Sequence, residues 1–188
     1  MIKYLIKSVF VSFKSLIFIL LNSNKIRFVG LPIILNQRGS KIHFGENIVI
    51  NSGNYSNLIG TNRSIIVVNK KAVLSIGDNT GLSGVSIYCR KKIIIGKNVK
   101  IGSNSKIFDT DFHPLDFKTR RLKNNRFLTV DKSVEIGDDV FIGEGVLILK
   151  GSKIGSRSII AAKAVISGVV PPDTTAYGNP FKIKIKQI

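Results

Sequence analysis

Only two histidines occur in the 188 residues. One of them, His113, stands in a polar, aperiodic stretch, two residues after Asp111 and four after Asp109. A neutral imidazole, with an ordinary pKa of about 6.5, can take a proton from a hydroxyl near neutral pH. The two carboxylates would orient that ring or bind the hydroxyls of a polar substrate; equally, they suit turn formation and solvation. The other histidine, His43, falls at an ordinary position and reads as structural or merely exposed. The single cysteine, Cys89, excludes an intrachain disulfide framework and fits a reducing compartment. It has no activating partner beside it in sequence, so it reads as a small packing side chain. No serine sits in a recognisable nucleophile context. Two histidines fall short of a three-histidine zinc site, so no metal is expected.

Something rigid must hold such a base against a substrate, and the stretch from Ile136 to Ile166 shows what. An aliphatic residue heads every sixth position: Ile136, Ile142, Ile148, Ile154, Ile160 and Ile166. Gly follows three of them, at Gly137, Gly143 and Gly155. The fifth residue of each block is small or apolar again, from Val140 and Val146 to Ser152, Ser158 and Ala164. A period of six fits neither an amphipathic helix nor an alternating hairpin strand. It fits a solenoid of short strands, in which each hexad is one flat side and three sides make a coil of about 18 residues. The heading aliphatics then point inward and stack between coils about 4.8 Å apart. Gly in second place suits a corner, where it takes backbone angles that a Cβ forbids.

The beat starts near Lys41, with Ile42, Phe44-Gly45 and Ile50, and continues through Ile76-Gly77 and Leu82. It slips by one residue near Arg90 to Lys92 and restarts at Ile95-Gly96, Ile101-Gly102 and Ile107. Six or seven coils are expected before Pro171. Between His113 and Glu135 there is no beat, so residues 114–134 read as a loop extruded from one coil, and long loops on rigid scaffolds carry function. The organisation is therefore a leading segment over residues 1–40, a solenoid over 41–170 and a tail over 171–188.

The repeat, together with FDTDFHP (residues 108–114) and PPDTTAYGNPFKIKIK (residues 171–186), resembles the left-handed parallel β-helix acyltransferases. The similarity is greatest to the maltose and galactoside O-acetyltransferases and to bacterial polysaccharide O-acetyltransferases, and it covers residues 41–186. It implies an all-β, left-handed parallel β-helix assembled as a homotrimer, with acetyl-CoA as co-substrate. It also implies that His113 is the general base, because those enzymes place theirs in a THP-like sequence that Phe112-His113-Pro114 matches. This chain is one residue longer there, which requires a small bulge. The reaction implied is transfer of an acetyl group to a hydroxyl of a sugar or polysaccharide precursor, with backbone N–H groups stabilising the oxyanion. In such enzymes the pantetheine arm runs along the coils between two subunits. Matching motif to motif places Gly143, Glu144, Ala161, Ala162, Ser167 and Gly168 along that groove, with Asn179 and Lys182 near the nucleotide end.

The departures narrow the reading. Glu144 and Gly168 stand where relatives tend to have a small hydroxyl residue and a lysine, Lys182 where an arginine is common, and Phe141 where a tryptophan is frequent. The sugar-contacting Asn and Asp of the galactoside enzymes are missing near Gly84 and Cys89 to Arg90. The acceptor is thus open. Amino-sugar N-acetylation and transfer of a longer acyl chain compete on the same scaffold, with a catalytically dead scaffold behind them. An ice-binding β-helix would carry regular Thr ladders, which are lacking.

Lys and Arg total 29 against 11 Asp and Glu, a formal charge of +18. No basic-aromatic interleaving accompanies this charge, so nucleic acid is not expected as a partner. Residues 2–21 show helical apolar spacing with Lys3, Lys7 and Lys14 on another face. The apolar run after Lys14 is far below the roughly 20 residues that span a bilayer, and no cleavage site marks a signal peptide. Two readings stand: the helix packs on the solenoid or a neighbouring subunit, or it rests on an anionic membrane surface. The expected location is the cytoplasm, at the inner face of the membrane in the second case, where lipid-linked precursors of capsule, O-antigen or exopolysaccharide would be presented.

Overall fold

A computed structural model describes residues 15–21, 25–53, 60 and 62–185. The expected helix over 2–21 lies outside the described residues up to position 14, with Lys3, Lys7 and Lys14. From Ile26 onward the chain winds as a three-sided parallel β-helix. Face A carries Ile26–Gly30, Ile48–Ser52, Gly81–Ser83, Lys100–Ile101, Phe141–Ile142, Ile159–Ile160 and Thr174–Tyr177 in that order. Face B carries Ile33–Asn36, Ile65–Val68, Ser86–Cys89, Lys106–Phe108, Leu147–Ile148 and Val165–Ile166. Face C carries Lys41–Phe44, Val73–Ile76, Lys92–Ile95, Val134–Ile136, Lys153–Ile154 and Val169–Val170. Each strand pairs in parallel with the one a coil away. The hairpin partner Lys182–Ile185, antiparallel to Thr174–Tyr177, ends face A.

The hexad heads do what their spacing demands. Ile142 pairs with Ile160, Ile136 with Ile154 and Ile148 with Ile166, and all six are buried. Each such side chain withdrawn from water contributes about 1.5–3 kcal/mol. The fifth-position residues Val140, Val146, Ser152, Ser158 and Ala164 are buried beside them.

The glycines in second place have a different reason from the expected one. The left-handed backbone falls at the fourth position instead, on residues such as Asn79, Asn98, Asp139 and Gly145. At Gly77 the constraint is distance: an added Cβ would lie 2.7 Å from the Gly96 carbonyl carbon of the next coil. The second position is where stacked coils touch backbone to backbone. Fourth-position side chains form a ladder along the CA corner, with Asn47 donating to Asn79 (3.2 Å), Asn79 to Asn98 (3.2 Å) and Asn98 to the Asp139 carboxylate (3.0 Å).

Two boundaries move. The solenoid starts at Ile26 rather than near Lys41, since Ile26–Gly30 and Ile33–Asn36 pair in register with Ile48–Ser52 and Ile65–Val68. No second-position glycine marks the first two sides of that coil in the sequence. Likewise Thr174–Tyr177 continues face A, so the tail supplies a further strand. Ahead of the first coil, residues 15–21 are helical. Ser15 Oγ accepts from Ile34 N–H at 3.0 Å, and Phe18 meets Phe44 edge-on at 6.0 Å, so one side of the helix covers the solenoid end. Leu16, Ile17, Leu20 and Leu21 face outward.

Candidate active site

The long excursion leaves the BC corner after Lys106–Phe108 and returns at Val134–Ile136. Its neck is tied to the coils at several points. Lys132 N–H donates to Asp109 O at 3.0 Å and Gly151 N–H to Lys132 O at 3.1 Å. Asp111 pairs with Lys150, whose ammonium also donates to Val130 O at 3.0 Å. On the return limb, Arg90 reaches Asp131 at 3.3 Å and Thr129 at 2.7 Å.

His113 is aimed from this neck. Phe112 adopts a left-handed conformation, φ 64°, an uncommon one for a bulky residue. It is held there by two rings: Tyr88 at 4.8 Å, and Phe108 at 5.2 Å in an edge contact. This sharp turn falls at the place where the extra residue demanded a bulge, and it carries the exposed His113 out onto the loop wall. There His113 Nδ1 lies 3.1 Å from Asn125 Oδ1. Asn125 Nδ2 donates to Arg120 O at 2.5 Å, which fixes which end of the amide faces the imidazole. An amide oxygen only accepts, so Nδ1 is the donor here, and in the neutral imidazole the lone pair then falls to Nε2. That is the tautomer a general base needs. Arg120 is itself engaged, donating to Pro114 O and Leu115 O at 3.2 Å each.

The two aspartates have other work. Asp109 is fully buried. Its oxygens accept from the N–H groups of Arg90 (2.7 Å), Lys91 (2.7 Å) and Lys92 (2.8 Å), at the point where the sequence register slips. Burial pushes its carboxyl above the ordinary value, against the pull of those three N–H groups. Asp109 is therefore a buried corner brace, and the expectation that it binds substrate or orients His113 is corrected: the ring's partner is Asn125. Asp111 is likewise occupied by Lys150. Cys89 is buried, and burial first, then Asp109, pushes its thiol far up. His43 lies exposed on the outer side of Lys41–Phe44.

A groove of about 900 Å³ opens beside His113, with Gln37, Asn69 and Tyr88 on the coil side and Asn124, Arg126 and Phe127 on the loop side. The residues expected along a pantetheine path lie elsewhere. Gly143, Glu144, Ala161 and Ala162 occupy the AB corner, where Gly143 stacks so closely on Ala162 that a Cβ would meet its nitrogen at 2.5 Å. Glu144 is paired with Lys163 at 2.8 Å and accepts from Asn104 at 3.2 Å; these contacts hold its carboxyl below the ordinary value. Ser167 and Gly168 sit on the BC corner below the loop, and Asn179 and Lys182 are exposed around the terminal hairpin. Within one chain, face B separates the small-residue ledge from His113. Among the described residues no group of three or more His, Cys, Asp or Glu gathers as a metal site.

Sequence reasoning missed Asn125, the aromatic clamp and the coil-side groove residues. No local signal marks Asn125, which meets His113 across twelve positions of an aperiodic loop.

Residues 133–168 match the family model of the bacterial transferase hexapeptide (six repeats). A Schizosaccharomyces pombe (strain 972) protein, whose acetyltransferase name is itself an inference, is 43% identical over 90 residues, covering 48% of this chain and 41% of that one. The chain thus spans about two fifths of the length of this curated relative. Among solved structures, a hexapeptide-repeat acetyltransferase of Vibrio cholerae O1 biovar eltor in complex with acetyl-CoA is 28% identical with a TM-score of 0.50, over 88% of this chain and 73% of the other. A polysialic acid O-acetyltransferase is 25% identical with a TM-score of 0.56, over 79% and 69%. A mutant N-acyltransferase of Bacillus cereus in complex with dTDP and CoA shares the fold, with a TM-score of 0.60 at 14% identity over 86% and 83%. Residues 133–168 thus carry the bacterial transferase hexapeptide repeat, and the solenoid is similar to the left-handed parallel β-helix of those acetyltransferase structures.

Proposed function

We propose that this protein transfers an acetyl group from acetyl-CoA to a hydroxyl of a sugar or bacterial polysaccharide precursor. The observation that carries the reading is the Asn125–His113 contact, which leaves Nε2 as a proton acceptor on the wall of a groove. The acceptor hydroxyl gives its proton to Nε2 as its oxygen bonds to the thioester carbonyl carbon. The tetrahedral intermediate collapses with cleavage of the C–S bond, and the imidazolium returns the proton to the thiolate of CoA. The donor assignment is supported by the acetyl-CoA complex of the Vibrio cholerae protein. The acceptor class is supported by the O-acetyltransferase at 25% identity. The ledge at Gly143, Ala161 and Ala162 suits a long thin arm that must run close to backbone. Because that ledge and His113 lie on different corners, a complete site joins the BC corner of one copy to the AB corner of another, which calls for a cyclic trimer.

The test is turnover of labelled acetyl-CoA against a panel of glycans, lipid-linked intermediates and amino sugars. His113→Ala should lower kcat by at least about 10²-fold with acetyl-CoA affinity retained, while His43→Ala stays near wild type. The acetylated product should lose its label in mild alkali, as an ester does; an alkali-stable amide would instead indicate N-acetylation. Near-normal turnover of His113→Ala would remove this residue from the mechanism.

A further inference from the structure

The groove beside His113 has an unusual charge pattern. Lys70, Lys71, Arg90 and Arg126 line it, and no aspartate or glutamate does. Arg90 is neutralised by Asp131. Lys70, Lys71 and Arg126 are exposed, and none forms an ion pair among the described residues. Several cations on other corners are matched to carboxylates, Lys97 to Asp78, Arg157 to Asp173 and Lys163 to Glu144. The groove thus concentrates three cations without an ion pair around one cavity that no carboxylate lines.

The amides and rings around these cations have a use as well. Gln37 Nε2 donates to Asn69 Oδ1 at 3.1 Å, and Gln37 Oε1 accepts from Lys70 N–H at 3.2 Å, so the coil-side wall is a fixed row of polar groups. Tyr88 and Phe127 line the groove at its two sides, and Phe127 is 82% exposed. Amides for hydroxyls, an aromatic face for a pyranose ring and unpaired cations for an anion are together the recognition set of an acidic sugar. The volume lies within the roughly 300–1,000 Å³ of small-molecule sites.

We propose that the acceptor is an anionic glycan, with a carboxylate or phosphate seated against Lys70, Lys71 and Arg126 while a nearby hydroxyl meets His113. This rests on the transfer reading above and adds the substrate class.

Two measurements separate the two ideas. The first is calorimetric binding of a hexuronic-acid oligosaccharide to the His113→Ala protein, beside the same oligosaccharide with its carboxyls reduced to alcohols, and a sugar-phosphate oligomer. The second is acetylation of the three by the wild-type protein. At least one of the acidic ligands should bind a minimum of about tenfold more tightly than the neutral one, the order of one charge-assisted hydrogen bond. The preference should shrink as salt is raised. A preference for one acidic ligand alone identifies the anion. In K70Q/K71Q/R126Q, with thermal unfolding matching wild type, the preference should fall to within about threefold. Equal binding of acidic and neutral ligands, or a preference that survives the triple substitution, overturns the inference. Preferential binding of the acidic ligands with no acetylation of any sugar upholds the anionic groove and sinks the transfer reading.

Discussion

Asn125 Oδ1 stands 3.1 Å from His113 Nδ1, with the other end of the same amide locked onto Arg120 O at 2.5 Å. The pair fixes both the direction of the imidazole and the position of its proton. Asn125→Ala should therefore lower kcat by about ten- to a hundredfold through loss of orientation, with the KM for acetyl-CoA little changed. Asn125→Asp is the sharper test. A carboxylate against the ring favours the imidazolium, so the acid limb of kcat/KM should move up by about one pH unit. A merely structural role for Asn125 would leave that limb in place.

Asp109 supplies a stability prediction. It is fully buried and accepts three backbone N–H groups at the tight corner Arg90–Lys92. Asp109→Ala would orphan those donors and should cost about 3 kcal/mol in chemical unfolding. Because burial raises its carboxyl above 3.8, the folded state binds the proton more tightly than the unfolded chain. Its titration thus contributes stability that is complete below pH 3.8 and declines as pH rises through the folded value. The Asp109→Asn protein lacks that decline. The stability gap between wild type and Asp109→Asn should narrow as pH is raised from acid toward neutral; a gap that widens contradicts the assignment.

The same two residues show what the sequence makes legible. The inward column of Ile136, Ile142, Ile148 and their successors can be read directly, because a period of six has one structural outcome and every head is buried. Its glycines were legible as constraints but not as to cause: Gly77 is dictated by the backbone of the next coil, and spacing along one chain carries no distance between coils. Asp109 looked like a site residue because it neighbours His113 in sequence, yet a residue at the corner just past a strand and a loop residue four further on can point to opposite sides of the wall. Asn125 was invisible because loop geometry, not periodicity, brings it to His113. The first two sides of the first coil were hidden for want of a glycine after Phe28 or Ile34.

The N-terminal segment gives the third prediction. Among the described residues no helix is long and apolar enough to cross a membrane. Residues 15–21 nevertheless turn Ser15 and Phe18 to the solenoid and Leu16, Ile17, Leu20 and Leu21 outward. With Lys3, Lys7 and Lys14 preceding them in sequence, these side chains suit an anionic bilayer surface, where each basic residue adds about 1 kcal/mol. Removing everything before Arg38 is a poor test, since it deletes the strands Ile26–Gly30 and Ile33–Asn36. Leu16→Gln with Leu20→Gln and Leu21→Gln leaves the coil intact. The whole protein should float with anionic vesicles at low salt and release as salt rises, and the triple variant should float less. Indifference of the wild-type protein to anionic vesicles at low salt would leave the helix as a cover for the solenoid end alone.

The last prediction follows from the separation of His113 on the BC corner from Ala162 on the AB corner, with face B between them. If each site is built from two copies, two damaged proteins can repair one another. His113→Ala removes the base and leaves the ledge. Ala162→Trp blocks the ledge at an exposed position and leaves the base. Each variant alone should be nearly inactive. In a cyclic trimer assembled from an equal mixture, a site is whole when its His113 comes from the Ala162→Trp chain and its ledge from the His113→Ala chain. Random assembly makes that combination about one site in four. Co-refolding the two variants should therefore restore roughly a quarter of wild-type turnover, whereas mixing them after assembly should restore little until subunits exchange. Sedimentation should show trimers in the same samples. A co-refolded mixture that stays inactive while remaining trimeric would mean that base and ledge do not belong to one shared site.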